Sequence, residues 1–207
     1  MSKTIIHKDL FSKEFAVFAL LVSLGVGGRL FFKYTLEIPN FTPVASLALF
    51  GGYYFRNRLW AVLLPLTIMA ISNLVIGGYN SLVVMLTVYS FLLLPIVFRG
   101  YLRTTFRFKK GAFKKAAVSF GGLVGCSMAM SLLFFLTTNF AVWAVGTSHY
   151  PMTSSGLWAC YANAVPFFRA TLASNLIFSL GIFGSYALTY SLARETANPP
   201  LREITSS

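Results

Sequence analysis

The chain has 207 residues, 57% of them hydrophobic and 11% charged, with a mean hydropathy of +0.72. A soluble domain carries about 25% charged residues, so this composition excludes a water-soluble fold and fits one membrane-embedded bundle rather than two domains. The charge is lopsided, with 17 Lys and Arg against 5 Asp and Glu, and the basic residues crowd into short segments between apolar runs. That pattern orients a membrane protein, and no nucleic-acid partner is expected.

Residues 1–14, with Lys3, Lys8 and Lys13, read as a cytoplasmic N-terminal segment. The apolar run behind them ends in Gly27-Gly28-Arg29 with no small-x-small cleavage site, so 15–33 is predicted as a retained first helix, not a signal peptide. The second segment, 42–55, is preceded by Pro39-Asn40, begins at Thr42-Pro43 and stops before Arg56 and Arg58. At about 21 Å it falls short of a hydrocarbon core of about 30 Å. Asn40 reads either as the cap of that helix or as a polar group beside a cavity. Spans at 59–77, 81–98 and 116–138 follow. The stretch 139–169 is apolar but broken by Pro151, Gly156 and Pro166, and is predicted to hold a short or re-entrant helix around 156–165. A sixth span at 170–192 leads into a cytoplasmic tail, 193–207. The membrane domain is thus 15–192. The fold class expected is all-α integral membrane: six transmembrane helices in one bundle.

Orientation follows from the cations. All Lys and Arg except Arg29, Lys33 and Arg169 fall in the N-terminal segment, at 56–58, in 99–115 and in the tail, which alternate with 77–80 and 139–168, where there are none. Both termini are therefore expected in the cytoplasm, with the chain multi-pass in the cell's inner (plasma) membrane. The stretch RGYLRTTFRFKKGAFKKAA (99–117) interleaves basic and aromatic residues. It reads as an anchor on anionic membrane lipid, or as a docking surface for a partner through Arg99, Arg103, Arg107, Lys109 and Lys110.

No Asp or Glu occurs between Ile38 and Arg194. Proton relays and cation-coupled carriers place carboxylates within their helices, and hydrolases need an acid/base pair, so neither class fits. His149 with Ser154 or Ser155 lacks an acidic orienter and a nucleophile motif, and no enzyme is expected. Without a phosphate-binding Gly-rich loop, ATP-driven work would fall to another subunit. Cys126 and Cys160 have no metal-ligand spacing and read as buried small apolar residues, so no disulfide, metal or cofactor is expected.

The chemistry that remains lies on the outer side. Arg29, Asn40, Thr42 and Asn139 could grip an anionic or planar ligand together with Trp143, Tyr161 and Arg169, under a lid made by 33–43 and 139–168. Each has a plainer reading. Arg29, Lys33 and Arg169 can snorkel to the interface, and Trp143, Trp158 and the tyrosines can form an aromatic belt. Asn73, Asn163 and Asn175 can bond between helices. Ala48-x3-Gly52 and Gly121-x3-Gly125 supply small faces for close helix contact.

Three stretches, PNFTPVASLALFGGYYF (39–55), FFLTTNFAVW (134–143) and GLWACYANAVPFFRATL (156–172), together resemble a family of uncharacterised small bacterial membrane proteins over roughly residues 20–185. Arg29, Asn40, Phe41, Thr42, Pro43, Asn139, Trp143, Cys160 and Tyr161 match its pattern, as does Pro166-Phe167-Phe168. At Ser72-Asn73 that pattern commonly reads Ser-Asp, so a role needing a carboxylate there is not carried over. The architecture is also similar to the substrate-binding S component of energy-coupling-factor vitamin transporters, which hold a ligand near the outer face, partly closed by the loop joining their first two helices. That likeness implies capture of a small-molecule ligand for uptake, with a transmembrane coupling subunit and ATP-binding-cassette ATPases on other chains. The Ala-x3-Ala signature of many S components is missing from 15–33, where Ser23-x3-Gly27 comes nearest. The competing expectation is a non-transporting membrane scaffold of an envelope or cell-shape assembly, working through 99–115.

Overall fold

Seven helices make up the computed structural model, which describes residues 2–105, 113–146 and 150–197, with side chains over 12–105, 119–146 and 150–193 and at Thr196. They are α1 (Ser2–Tyr34), α2 (Val44–Tyr54), α3 (Arg58–Ile76), α4 (Leu82–Phe91), α5 (Pro95–Thr105), α6 (Phe113–Ala144) and α7 (Ser154–Ala197), and the described residues contain no strand. Among the described residues, five stretches are long and apolar enough to cross a membrane: Ser12–Tyr34, Arg58–Ile76, Leu82–Thr105, Ser119–Ala144 and Ser154–Ala193. The chain is built as a multi-pass membrane protein.

The helices run up and down. At one end Lys33 Nζ and Tyr34 Oη donate to the carbonyls of Ile76 and Val75, tying α1 to the last turn of α3. At the other end the Arg56 amide donates to Glu14 at 3.0 Å and Ser119 Oγ to the Thr105 carbonyl at 2.7 Å. A chain of buried polar groups joins the middle. Asn175 donates to Ser131 Oγ, while Ser127, Ser179 and Ser46 bond in series across α6, α7 and α2. Their polar atoms are partnered, as buried ones must be.

α2 resolves the puzzle of the short apolar segment. It packs against α1, α3, α5 and α7, and eight of its eleven residues are buried. A helix apolar on every side belongs inside protein. Wrapped by its neighbours rather than by lipid, α2 has no bilayer thickness to match, and about 16 Å suffices.

Its two ends are finished differently. Pro43 is the N-cap and offers no side-chain bond, so Asn40 is not the cap. Asn40 instead takes a left-handed turn conformation, φ 62, which Asn tolerates better than most residues. At the C-terminal end Arg103 Nε donates to the Tyr53 carbonyl at 2.8 Å and its Nη2 to that of Phe55. Arg99 Nη2 donates to the carbonyls of Phe55 and Arg56. Cations on the last carbonyls of a helix satisfy orphan acceptors and complement its dipole.

Several expectations need correcting. The predicted span 81–98 falls in one membrane-crossing stretch, Leu82–Thr105, but is built of two helices, because Pro95 has no N–H to continue the α ladder. The Phe91 carbonyl is taken instead by the Leu94 amide at 3.0 Å, in a tight turn after α4. The broken stretch 139–169 contains no short or re-entrant helix among the described residues. α6 runs on to Ala144, and α7 starts at Ser154 and passes through Pro166 without ending. At 44 residues α7 is about 66 Å long, more than twice a hydrocarbon core. Residues 2–14 form the start of α1. Of the two small-residue pairs, Gly52 does lie against the Pro95 carbonyl of α5, but Gly121 and Gly125 face open space. Residues 106–112, 147–149 and 198–207 lie outside the described residues, and with them Arg107, Lys109, Lys110, His149 and most of the predicted tail.

The turn into α7 is closely built. Thr153 Oγ1 accepts from the Gly156 amide at 3.2 Å, an N-cap bond, and Trp143 Nε1 donates to the Pro151 carbonyl at 3.1 Å. A Cβ on Gly156 would fall 2.0 Å from that same carbonyl oxygen. Gly156→Ala is therefore expected to destabilise the protein by about 1–3 kcal/mol, the usual range for overpacking, despite alanine's better helix propensity. Thermal unfolding in detergent checks this; a variant as stable as the parent would show that the turn relaxes freely.

Candidate functional site

The site is assembled at the end where α1, α3 and α6 finish and α2, α4 and α7 begin. Two glycines draw α1 inward. A Cβ on Gly25 would lie 2.5 Å from Ile68 Cδ1 of α3, and one on Gly28 would lie 2.9 Å from Pro43 Cγ. Between these contacts and the end of α1, Arg29 reaches across to α3. Its Nη1 donates to Ser72 Oγ and, at 2.8 Å, to Asn73 Oδ1. Ser72 is fully buried and passes its own hydrogen to the Ile68 carbonyl at 2.6 Å. Asn73 Nδ2 donates to Tyr89 Oη on α4 at 3.2 Å.

Just beyond, Gly77 at φ 94 ends α3, a conformation that favours glycine, and the chain turns back through Tyr79. The Tyr79 phenol packs near Arg29. Burial pushes its pKa up, and the guanidinium pulls the other way by a smaller amount. All these partners of Arg29 are neutral. Among the described residues the groups that act on it electrostatically are Tyr79 and Tyr89, and none is a carboxylate. A half-buried cation thus sits beside a low-dielectric interior with no carboxylate among these partners.

Beside it opens a cavity of about 100 Å³. Arg29, Asn40, Thr42, Tyr79, Ser174 and Asn175 supply its polar wall, and Val44, Met69, Val88, Phe91, Met130 and Phe134 its apolar one. An adjoining cavity of about 210 Å³ shares Asn40, Tyr79, Val88, Phe134 and Thr171, and adds Thr138, Asn139, Phe135, Phe167 and Phe168. Together they form a small two-chambered space, with Arg29 in one chamber and the rings of Phe135, Phe167 and Phe168, beside Thr138 and Asn139, in the other. Binding sites for small ligands commonly combine such an apolar lining with a few placed polar groups.

Four predicted ligand residues, Arg29, Asn40, Thr42 and Asn139, therefore line this space. The other three do not line either chamber. Trp143 holds the Pro151 carbonyl, Tyr161 Oη donates to the Leu136 carbonyl at 2.8 Å, and Arg169 is exposed on α7. Of the predicted partner-binding residues, Arg99 and Arg103 are engaged with the end of α2, as described above. Cys126 and Cys160 are both free and buried.

Sequence reasoning passed over Tyr79, Tyr89 and Thr171. One signal for Ser72 was available: an arginine near the outer end of the first helix must meet the last turn of an antiparallel neighbour, and that turn carries Ser72-Asn73. Tyr79 gave no such signal, because only the returning loop brings it back over Arg29.

The model of a family described as a family of unknown function (DUF6580) matches residues 10–198. No curated protein and no solved structure matches the chain.

Proposed function

Because the chain belongs to this family of unknown function (DUF6580), which brings no activity with it, we propose from the site that the protein captures a small molecule at the outer face of the membrane for uptake. The two-chambered cavity is the observation that carries this reading. It lies at the end opposite Arg56, Arg58, Arg99 and Arg103, which the positive-inside rule assigns to the cytoplasm together with both termini. The loop 35–43 between α1 and α2 supplies Asn40 and Thr42 to its wall. In an S component of energy-coupling-factor transporters, the corresponding loop helps to close the ligand site. This parallel is one of architecture, since fold alone does not fix function. On this reading the protein binds without chemistry, and reorientation is driven by a coupling subunit and ATPases on other chains.

Thermal-shift screening of the purified protein with vitamins, bases and organic anions tests the proposal. A stabilising ligand is expected, lost in Arg29→Ala, with an uptake-dependent growth defect in the Arg29→Ala strain. No response to any compound, together with unaltered growth of the variant, would sink it. The scaffold reading rests on 99–115, and two of its seven basic residues, Arg99 and Arg103, are occupied with α2. Co-purification separates the two readings: an ATP-binding-cassette ATPase favours uptake, and cell-wall or cytoskeletal partners favour the scaffold.

A further inference from the structure

We infer that the ligand is an organic carboxylate with a compact apolar or aromatic body. This rests on the outer-face capture proposed above and specifies its substrate class. Arg29 lines the polar chamber, and its side-chain partners Ser72, Asn73 and Tyr79 are all neutral. A guanidinium so placed keeps a net positive charge beside an apolar interior, and an anion entering the chamber removes that imbalance. Arginine pairs with planar carboxylates through two parallel bonds, which favours this head group.

The remaining polar surroundings agree. Thr42 and Tyr79 bring hydroxyls and Asn40 an amide, all able to donate. Val44 and Ala45, from the first turn of α2, line the same chamber, and that turn has no side-chain cap. The chamber's other wall and the adjoining cavity decide against a bare inorganic ion. Phe134, Phe135, Phe167 and Phe168 present rings there, while Thr138, Asn139 and Thr171 already donate to the helix carbonyls of Phe134, Phe135 and Phe167, where a phosphate or sulfate would need donors. An aryl or branched alkyl body fits that side, leaving its carboxylate at Arg29.

Asn73→Asp gives the sharpest test. It places a carboxylate where an amide oxygen now lies 2.8 Å from Arg29, so the protein supplies its own counter-anion. Folding should survive the change, because Tyr89 can turn its hydroxyl to donate to the new carboxylate. The probes are benzoate, its neutral isostere benzamide, benzylamine and inorganic phosphate, titrated calorimetrically and by thermal shift into full-length protein in nanodiscs. Benzoate is expected to bind at least about 10-fold more tightly than benzamide. Benzylamine and phosphate should give no shift. Asn73→Asp should weaken benzoate at least about 10-fold while unfolding at a temperature no lower than the parent. Equal affinity for benzoate and benzamide, or undiminished benzoate binding in a folded Asn73→Asp protein, overturns the carboxylate assignment. Binding of a neutral or cationic probe that Thr42→Phe blocks would overturn the assignment and leave outer-face capture standing. No binding by any probe or by the wider screen overturns both.

Discussion

Arg103→Ala is expected to destabilise the protein by about 2 kcal/mol, because it removes one of the two arginines that donate to the C-terminal end of α2. Charge-assisted bonds to the carbonyls of Tyr53 and Phe55 disappear at once, with a longer one of 3.5 Å to that of Tyr54. Such bonds contribute about 1.5–3 kcal/mol each when shielded, and the lower end applies here because Arg103 is only half-buried. The Phe55 carbonyl keeps Arg99 as a second donor, which limits the loss. Arg103→Lys keeps the charge but cannot reproduce the fork, so it should recover less than half of the loss. Reversible unfolding in bicelles, followed for parent and both variants, measures this. An Arg103→Ala protein within about 0.5 kcal/mol of the parent, the range of an ordinary surface substitution, would mean that the arginine is not a cap.

Gly25→Val should cost about 1–3 kcal/mol and disable the site as well. A side chain there meets three atoms of Ile68, which has no exposed surface and no room to retreat. α1 must move away from α3, and Arg29, one turn further on, moves with it. Loss of stability and loss of ligand response should therefore appear together. Gly27→Ala is the control, since a Cβ at Gly27 meets nothing within 4 Å. It should be neutral or slightly stabilising, through alanine's better helix propensity. If Gly25→Val unfolds like the parent, the close approach of α1 and α3 is not what holds Arg29 in place.

Hydropathy located the apolar segments because lipid makes the same demand of every helix it surrounds. What it could not show was which segment lipid does not surround. The short length of 42–55 was visible, but its meaning depended on neighbours that wrap it from four sides. Hydropathy carried the span 81–98 through Pro95 and broke 139–169 at Pro166, yet Pro95 sits where two helices are jointed and Pro166 inside a continuous helix. In the site, Arg29 and Asn40 stood out because a lone cation and an amide are conspicuous against an apolar background. Trp143 and Tyr161 stood out equally, yet their polar atoms close turns and helix contacts. Tyr79 and Thr171 were hidden among ordinary interfacial residues until the fold brought them onto the same cavity.

Labelling at Thr42 in intact cells tests the account most directly. In a protein whose Cys126 and Cys160 are replaced by serine, Thr42→Cys gives one thiol on the wall of the polar chamber. A membrane-impermeant maleimide is predicted to reach that thiol from outside, and benzoate to slow the reaction in a protein that retains Arg29 but not in Arg29→Ala. Labelling only after the cells are broken open, or at a rate no carboxylate or other small molecule changes, would contradict an outer-face binding site.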